Sequence, residues 1–155
     1  MDKFMKAAFE EASKGMRKNE GGPFGAVIVK DGKIIARGHN MVLATNDPTA
    51  HAEVIAIRKA SRKLGRFDLS DCTIYSTSEP CPMCFAAIRW AKIKTIYYGC
   101  SVEDAASIGF DDKKIREELC NAREAQIEVQ MIELDKAECL ELFKEWANKK
   151  DKKMY

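Results

Sequence analysis

The sequence predicts an α/β protein, a three-layer α/β/α sandwich built on a five-stranded mixed sheet. Apolar, β-branched runs alternate with stretches of helical periodicity along the chain of 155 residues. Asp31-Gly32 between the first two apolar runs is a strong hairpin signal. Strands three, four and five are separated by segments long enough for crossover helices. We therefore expect an antiparallel first hairpin followed by parallel strands three to five.

Periodicity and turn residues place the elements of the N-terminal half. They are a first helix within residues 4–16, hairpin strands over 24–29 and 34–38, and a second helix over 50–64. Either Asp47 or Thr49 is expected to act as the N-cap of the second helix, because both side chains can accept helix N–H groups. His39 lies in an apolar run and is interpreted as a packed or hydrogen-bonded strand residue.

The C-terminal half continues the alternation of strands and helices. The expected elements are a strand over 72–77, a helix over 82–91, a strand over 95–100, a helix over 112–123, a strand over 127–134 and a helix from 135 or 136 to about 148. Neither a linker nor a repeat divides the chain. A single domain over residues 1–155 is expected, with 149–155 as a charged C-terminal tail.

Composition favours an ordinary soluble domain. The chain is 46% hydrophobic and 32% charged, and its formal net charge is only +2. The basic residues are spread along the chain, so a nucleic-acid partner is not expected. The first 16 residues lack the apolar region of a signal peptide, and no apolar run reaches the length of a membrane span. We therefore expect a cytoplasmic protein without membrane contact.

Two short segments carry the chemistry. His51-Ala52-Glu53 and Pro80-Cys81-Pro82-Met83-Cys84 match the H-x-E and P-C-x-x-C signature of zinc nucleobase deaminases. His51, Cys81 and Cys84 supply three ligands for one Zn²⁺ per subunit, and a catalytic site leaves the fourth position to water. Zinc lowers the pKa of that water toward about 7, so hydroxide becomes available to attack a ring carbon. Glu53 is the expected proton shuttle to the ring nitrogen and the leaving amine.

Two other interpretations of these segments stay open. The C-x-x-C sequence alone is compatible with a redox dithiol or with half of a structural zinc knuckle. The metal could also stabilise a binding surface without catalysis. The absence of a second C-x-x-C and the presence of H-x-E upstream favour catalytic zinc.

The chain also resembles a known family over nearly its full length. Residues 21–29, 46–53, 79–84 and 109–112 are similar to segments of the guanine deaminases, within the cytidine deaminase-like superfamily. The segment Gly109-Phe110-Asp111-Asp112, together with the tail, favours guanine over cytidine or tRNA adenosine. The resemblance implies hydrolysis of guanine to xanthine and ammonia, by attack of zinc-bound hydroxide at C2.

The same resemblance implies roles for residues beyond the zinc motif. Phe24, Trp90 and the His51 ring would hold the purine, while Asn40 and the Ala52 N–H would hydrogen bond to it. Asp112 is similar to a second catalytic acid that contacts the C2 amino group. In this family the tail covers the active site of a neighbouring subunit in a domain-swapped homodimer, and Tyr155 occupies the place of the Tyr that touches the base. Deamination of tRNA adenosine, or of another free base such as cytosine or an aminotriazine, remains the alternative.

Overall fold

The computed structural model describes residues 1–120. Residues Met1–Arg116 form one compact unit, and of a second unit that begins at Glu117 only the first residues are described. The helices in this part of the chain are α1 (Lys3–Arg17), α2 (Val42–Thr45), α3 (Ala52–Leu64), α4 (Pro82–Trp90), α5 (Val102–Ser107) and α6 (Lys113–Cys120). The strands are β1 (Gly25–Lys30), β2 (Lys33–His39), β3 (Thr73–Ser78) and β4 (Thr95–Cys100).

The four strands form one mixed sheet in the order β2-β1-β3-β4. Strand β1 is antiparallel to both β2 and β3, and β3 is parallel to β4. The expected hairpin and the expected parallel pairing of the third and fourth strands are therefore confirmed. Strands β2, β3 and β4 all end at the same edge of the sheet, the edge at which β1 begins, and ligands of open α/β sheets bind outside such an edge.

The hairpin turn has the geometry that its two residues favour. Asp31 and Gly32 both have positive φ angles, 49° and 68°. Positive φ at both central positions defines the type I′ turn, whose twist matches that of the two strands it joins.

Alternate residues of the central strands pack on opposite faces of the sheet. Ala26 and Ile28 belong to a buried cluster that includes side chains of α3 and α4. Val27 and Val29 belong to a second cluster with Ala7 and Ala8 of α1. Strand β1 is buried at all but its last residue because both of its faces are covered.

Helix α3 approaches the sheet closely because the residues in contact are small. Ala52, Ala56 and Ala60 are fully buried on one side of the helix. A Cβ atom at Gly38 in β2 would lie 2.4 Å from the Ala52 carbonyl oxygen, so only glycine fits there. This close approach sets the position of the first turn of α3 relative to the end of β2.

His39, at the end of β2, is a buried and hydrogen-bonded strand residue, as expected. Its Nε2 atom lies 2.7 Å from Glu20 Oε2, and its Nδ1 atom lies 3.3 Å from Glu11 Oε2. These contacts join β2 to α1 and to the segment that follows α1.

The structure corrects one sequence prediction and adds two elements. The N-cap of α3 is His51, not Asp47 or Thr49. The Asp47 carboxylate instead accepts hydrogen bonds from the backbone N–H and the hydroxyl of Thr49, so it caps a local turn. The short helices α2 and α5 were not predicted, because four or six residues carry little periodicity. The predicted fifth strand, final helix and tail lie outside the described residues 1–120.

No helix within residues 1–120 is both long enough and apolar enough to cross a bilayer.

We expect the substitution Ile74→Ala to lower the free energy of unfolding by about 2–5 kcal/mol, because it leaves a cavity in a fully packed core. Ile74 lies in β3 and is completely buried. Urea unfolding followed by circular dichroism measures the change. Ile115→Ala is the matched control, since Ile115 is 54% exposed and its loss should change stability by no more than about 0.5 kcal/mol. Equal losses in the two variants would contradict this account of the core.

Candidate metal centre and active site

The predicted ligands lie at the first residues of two helices. His51 is the N-cap of α3 and Cys81 is the N-cap of α4, and neither side chain makes a capping hydrogen bond to its own helix. Pro82 occupies the first turn of α4, where its missing N–H costs no hydrogen bond. Cys84 lies in the same turn and is fully buried. The side chains of His51 and Cys81 are therefore available to bind the same metal ion.

The geometry of the three ligand atoms fits tetrahedral zinc. Cys81 Sγ lies 3.6 Å from His51 Nδ1, and Cys84 Sγ lies 3.5 Å from the same nitrogen. The three atoms all lie within 4.8 Å of one another. Zinc bonds of about 2.0 Å to nitrogen and about 2.3 Å to sulfur, at tetrahedral angles, place the two ligand atoms about 3.5 Å apart. Within residues 1–120 this is the only group of three such side chains close enough to hold an ion.

The pKa values of the three ligand residues shift in different directions. Hydrogen bonding with Cys84, and next with His51, lowers the pKa of the Cys81 thiol to about 4. The neighbouring Cys81 sulfur, and then burial, raise the pKa of the Cys84 thiol. Hydrogen bonding with Cys81 raises the pKa of His51. A divalent cation between these atoms would favour thiolate at both cysteines, and the positive N-terminal ends of α3 and α4 act in the same direction.

Glu53 lies beside the metal cluster as a buried carboxyl group. It belongs to the first turn of α3 and is 6% exposed. Burial raises its pKa, and the Ser76 hydroxyl donates a hydrogen bond of 3.3 Å to its Oε1 atom. The three other side chains already supply the ligands, so Glu53 is free to carry a proton. A buried carboxyl group of raised pKa beside a metal site is typical of a general acid or base.

A cavity of about 580 Å³ opens over these groups. Its lining includes these residues: Gly21, Gly22, Phe24, Asn40, His51, Glu53, Cys81, Phe110, Asp111 and Asp112. The structure thus brings four predicted site residues, Phe24, Asn40, Glu53 and Asp112, into one cavity with the ligands His51 and Cys81. A cavity of this volume lies in the usual range for small-molecule sites.

Asn40 is held in the cavity wall by its surroundings. Its side chain is buried, and its Oδ1 atom accepts a hydrogen bond of 3.2 Å from the Val42 N–H. A Cβ atom at Gly21 would lie 2.1 Å from that Oδ1 atom, so glycine is required for the approach. The amide therefore has a fixed orientation.

Two aromatic rings form another part of the wall. Phe24 and Phe110 meet edge to face, with ring centroids 4.9 Å apart and an interplanar angle of 87°. Sequence analysis placed Phe24 at the site but gave Phe110 no role of its own, although it lies in the segment 109–112 that the resemblance singled out. Its aromatic side chain beside two acidic residues was the available signal.

The two aspartates of that segment differ in their contacts. Asp111 Oδ1 accepts the backbone N–H of Lys113 at the start of α6, with a length of 2.9 Å. Asp112 Oδ1 instead accepts from Arg116 Nε at 2.9 Å. Asp111 therefore supplies the side-chain hydrogen bond to the first N–H of α6, whereas the Asp112 carboxylate pairs with Arg116.

Among the described residues, two predicted contacts to the base, Trp90 and Ala52, are not part of the cavity lining. Trp90 is the last residue of α4 and is 67% exposed. Ala52 is the first residue of α3 and fully buried, and a backbone N–H at that position has no partner within its own helix. Tyr155 lies outside the described residues. The roles assigned to these three residues stay predictions.

Comparisons with known proteins agree with this geometry. Residues 1–100 match the family described as the cytidine and deoxycytidylate deaminase zinc-binding region. The chain is 48% identical over 152 residues to a guanine deaminase of Bacillus subtilis. The aligned region covers 98% of this chain and 97% of that protein. The X-ray structure of the guanine deaminase from Bacillus subtilis has a TM-score of 0.90 and 49% identity, covering 100% of this chain and 99% of the other. A tRNA-specific adenosine deaminase of Streptococcus pyogenes is 39% identical over 140 residues, covering 90% of this chain and 81% of the relative.

We expect Cys84→Ala to remove nearly all bound zinc, because two ligands cannot hold the ion that three hold. Metal analysis of purified protein by mass spectrometry should find about one zinc per wild-type chain and only a small fraction of that zinc in the variant. Cys100→Ser is the matched control, because Cys100 is exposed and does not belong to the ligand cluster. Full zinc content in the Cys84 variant would contradict the assignment of that sulfur as a ligand.

Proposed function

We propose that this chain, which belongs to the cytidine and deoxycytidylate deaminase zinc-binding family, hydrolyses guanine to xanthine and ammonia. The observation that carries the proposal is the buried Glu53 carboxyl group beside three zinc ligands in one cavity of small-molecule size. The choice of guanine is supported by the likeness to a guanine deaminase over 98% of the chain.

The proposed reaction divides between the metal and Glu53. Zinc, when bound by His51, Cys81 and Cys84, supplies a water that ionises near neutral pH. Glu53 would take one proton from this water and deliver it to a ring nitrogen, and would then pass the second proton, from the new C2 hydroxyl, to the departing amine. Its burial supports this role, because burial raises the pKa of the Glu53 carboxyl group and so makes it a better proton acceptor. Water adds its oxygen at C2, the C2–N bond breaks, and ammonia leaves.

Several residues are proposed to hold the purine with C2 toward the metal. The amide of Asn40, fixed by Val42, would hydrogen bond to the base, and so would the Ala52 N–H. Phe24 would pack against the purine ring, with the His51 ring at its edge. Trp90 is included on the family resemblance alone. Asp112 would contact the C2 amino group, and its place in the cavity lining supports this role.

The finer architecture is also proposed. The complete chain would be a single deaminase domain, a three-layer sandwich with a fifth strand over residues 127–134. We propose a homodimer exchanging its C-terminal parts, in which the tail 149–155 covers a neighbouring subunit's active site and Tyr155 touches the base. A cytoplasmic location completes the proposal. The support for these points is the sequence pattern and the family resemblance.

A second candidate function is deamination of adenosine in tRNA. It is favoured by the 39% identity to a tRNA-specific adenosine deaminase over most of the chain. The small formal net charge of +2 argues against it, because tRNA binding requires many phosphate contacts from basic residues.

We expect Glu53→Gln to lower kcat by about 10²–10⁴-fold while zinc content stays unchanged, because the amide cannot transfer protons and Glu53 is not a ligand. Ammonia release and metal analysis on the same preparation measure both effects. Glu10→Gln is the control, since that side chain is 56% exposed and pairs only loosely with Arg37 at 3.9 Å. A variant with normal turnover would favour a zinc site without a catalytic carboxylate.

We expect zinc-loaded protein to release ammonia from guanine with a kcat/KM at least about 100-fold above that for adenine, cytosine or an aminotriazine, because a site with fixed hydrogen-bonding groups rejects bases that leave them unpaired. The measurement is an ammonia assay over these bases and tRNA. No turnover of guanine would overturn the proposed function. Release from tRNA alone would establish the second candidate.

A further inference from the structure

We propose that Arg116 is a positioning residue that holds the Asp112 carboxylate in the cavity by tying it to the segment that carries the Cys81 ligand. The inference rests on the proposed function, in which Asp112 contacts the departing amino group. It goes further because neither the zinc motif nor the sequence resemblance gave Arg116 a role.

The guanidinium group of Arg116 makes two directed contacts at once. Its Nε atom donates to Asp112 Oδ1 at 2.9 Å, and its Nη2 atom donates to the Pro80 carbonyl oxygen at 3.1 Å. The donors of a guanidinium are held in a rigid plane, so fixing one contact also orients the other. Arg116 therefore sets the position of Asp112 relative to the residue that precedes Cys81.

The backbone of Asp112 is held at the start of α6, since its carbonyl oxygen accepts the Arg116 N–H at 3.0 Å, but its carboxylate needs a support of its own. Residues 110–112 lie between α5 and α6 without regular structure, and Gly109 just before them has a φ of 94°. Asp111, not Asp112, accepts the Lys113 N–H at the start of α6. The ion pair with Arg116 is thus the contact that holds the Asp112 side chain, and it joins positions i and i+4, which face each other at a helix start.

Pro80, the second residue that Arg116 contacts, is itself held firmly in place. Pro80 is buried and immediately precedes the N-cap of α4. The residue before it, Glu79, donates its backbone N–H to the Cys100 carbonyl oxygen at 2.8 Å, which ties the segment to the end of β4. The ring of Pro80 also restricts its φ angle. Because this anchor has its own supports, loss of Arg116 should release Asp112 without disturbing the zinc ligands.

The contact is sheltered but not buried. The side chains of Arg116 and Asp112 are 33% and 20% exposed. An ion pair of this kind contributes little to folding stability. Its effect should appear in the reaction, because misplacing a catalytic group by about 1 Å can lower a rate by about 100-fold.

The test is a double-mutant cycle with Arg116→Gln, Asp112→Asn and the double variant. We expect Arg116→Gln to lower kcat on guanine by at least about tenfold with KM within about threefold, because the group that it orients acts on the departing amine. The double variant should equal Asp112→Asn within about twofold, since Arg116 acts through Asp112. Arg116→Lys should fall between wild type and Arg116→Gln, because an ammonium group can pair with Asp112 but lacks the planar fork.

A second readout is independent of activity. The absorption spectrum of cobalt-substituted protein and the zinc content should be the same in Arg116→Gln and wild type, because the ligand atoms stay in place. Arg37→Gln is the matched control: it breaks an exposed pair with Glu10 at 3.9 Å and should leave kcat within about twofold.

Three results would overturn the inference while guanine turnover by wild type stands. They are unchanged kcat in Arg116→Gln, losses of Arg116→Gln and Asp112→Asn that multiply in the double variant, and an altered cobalt spectrum in Arg116→Gln. A wild-type enzyme that does not act on guanine would instead overturn the proposed function itself.

Discussion

The zinc site depends on two helices whose N-termini lie close together. His51 and Cys81 are N-cap residues of α3 and α4, and the nitrogen of one lies 3.6 Å from the sulfur of the other. The segments that precede the two helices leave the sheet at the edge where β2 and β3 end. Both helix dipoles point their positive ends at this place, which favours thiolate ligands. The position of the metal is thus a consequence of the sheet topology, and the remaining residues of the site are arranged around it.

Close packing determines how accurately that position is held. Gly38 lets the first turn of α3 approach β2, and Gly21 lets the backbone approach the Asn40 amide. In both places a single methyl group would contact an oxygen atom at less than 2.5 Å. The residues that touch the base in the proposed reaction are therefore located by neighbours that have no chemical role. Substitution of these glycines would move the site without altering any of its functional groups.

The sequence predicted the zinc ligands and the hairpin better than it predicted the helix cap and the supporting contacts of the site. Ligand spacing identifies His51, Cys81 and Cys84 because the donor types and their separations are specific to zinc. The hairpin is equally clear, because Asp31-Gly32 suits a turn with two positive φ angles. The cap of α3 was assigned wrongly, since the sequence does not reveal that Asp47 is already bonded to Thr49. The contact of Arg116 with Pro80 could not be found from the sequence, because the two residues lie 36 positions apart along the chain.

The two carboxylates of the proposed site differ in ways that suit different tasks. Glu53 is buried against the Ser76 hydroxyl, and its raised pKa lets it exist as an acid or a base during one turnover. Asp112 is paired with the guanidinium of Arg116 at 2.9 Å, and its carboxylate oxygens accept N–H groups. Environments that separate two carboxyl groups in this manner usually separate their roles. In the proposed reaction Glu53 moves the protons, and Asp112 contacts the amino group that leaves.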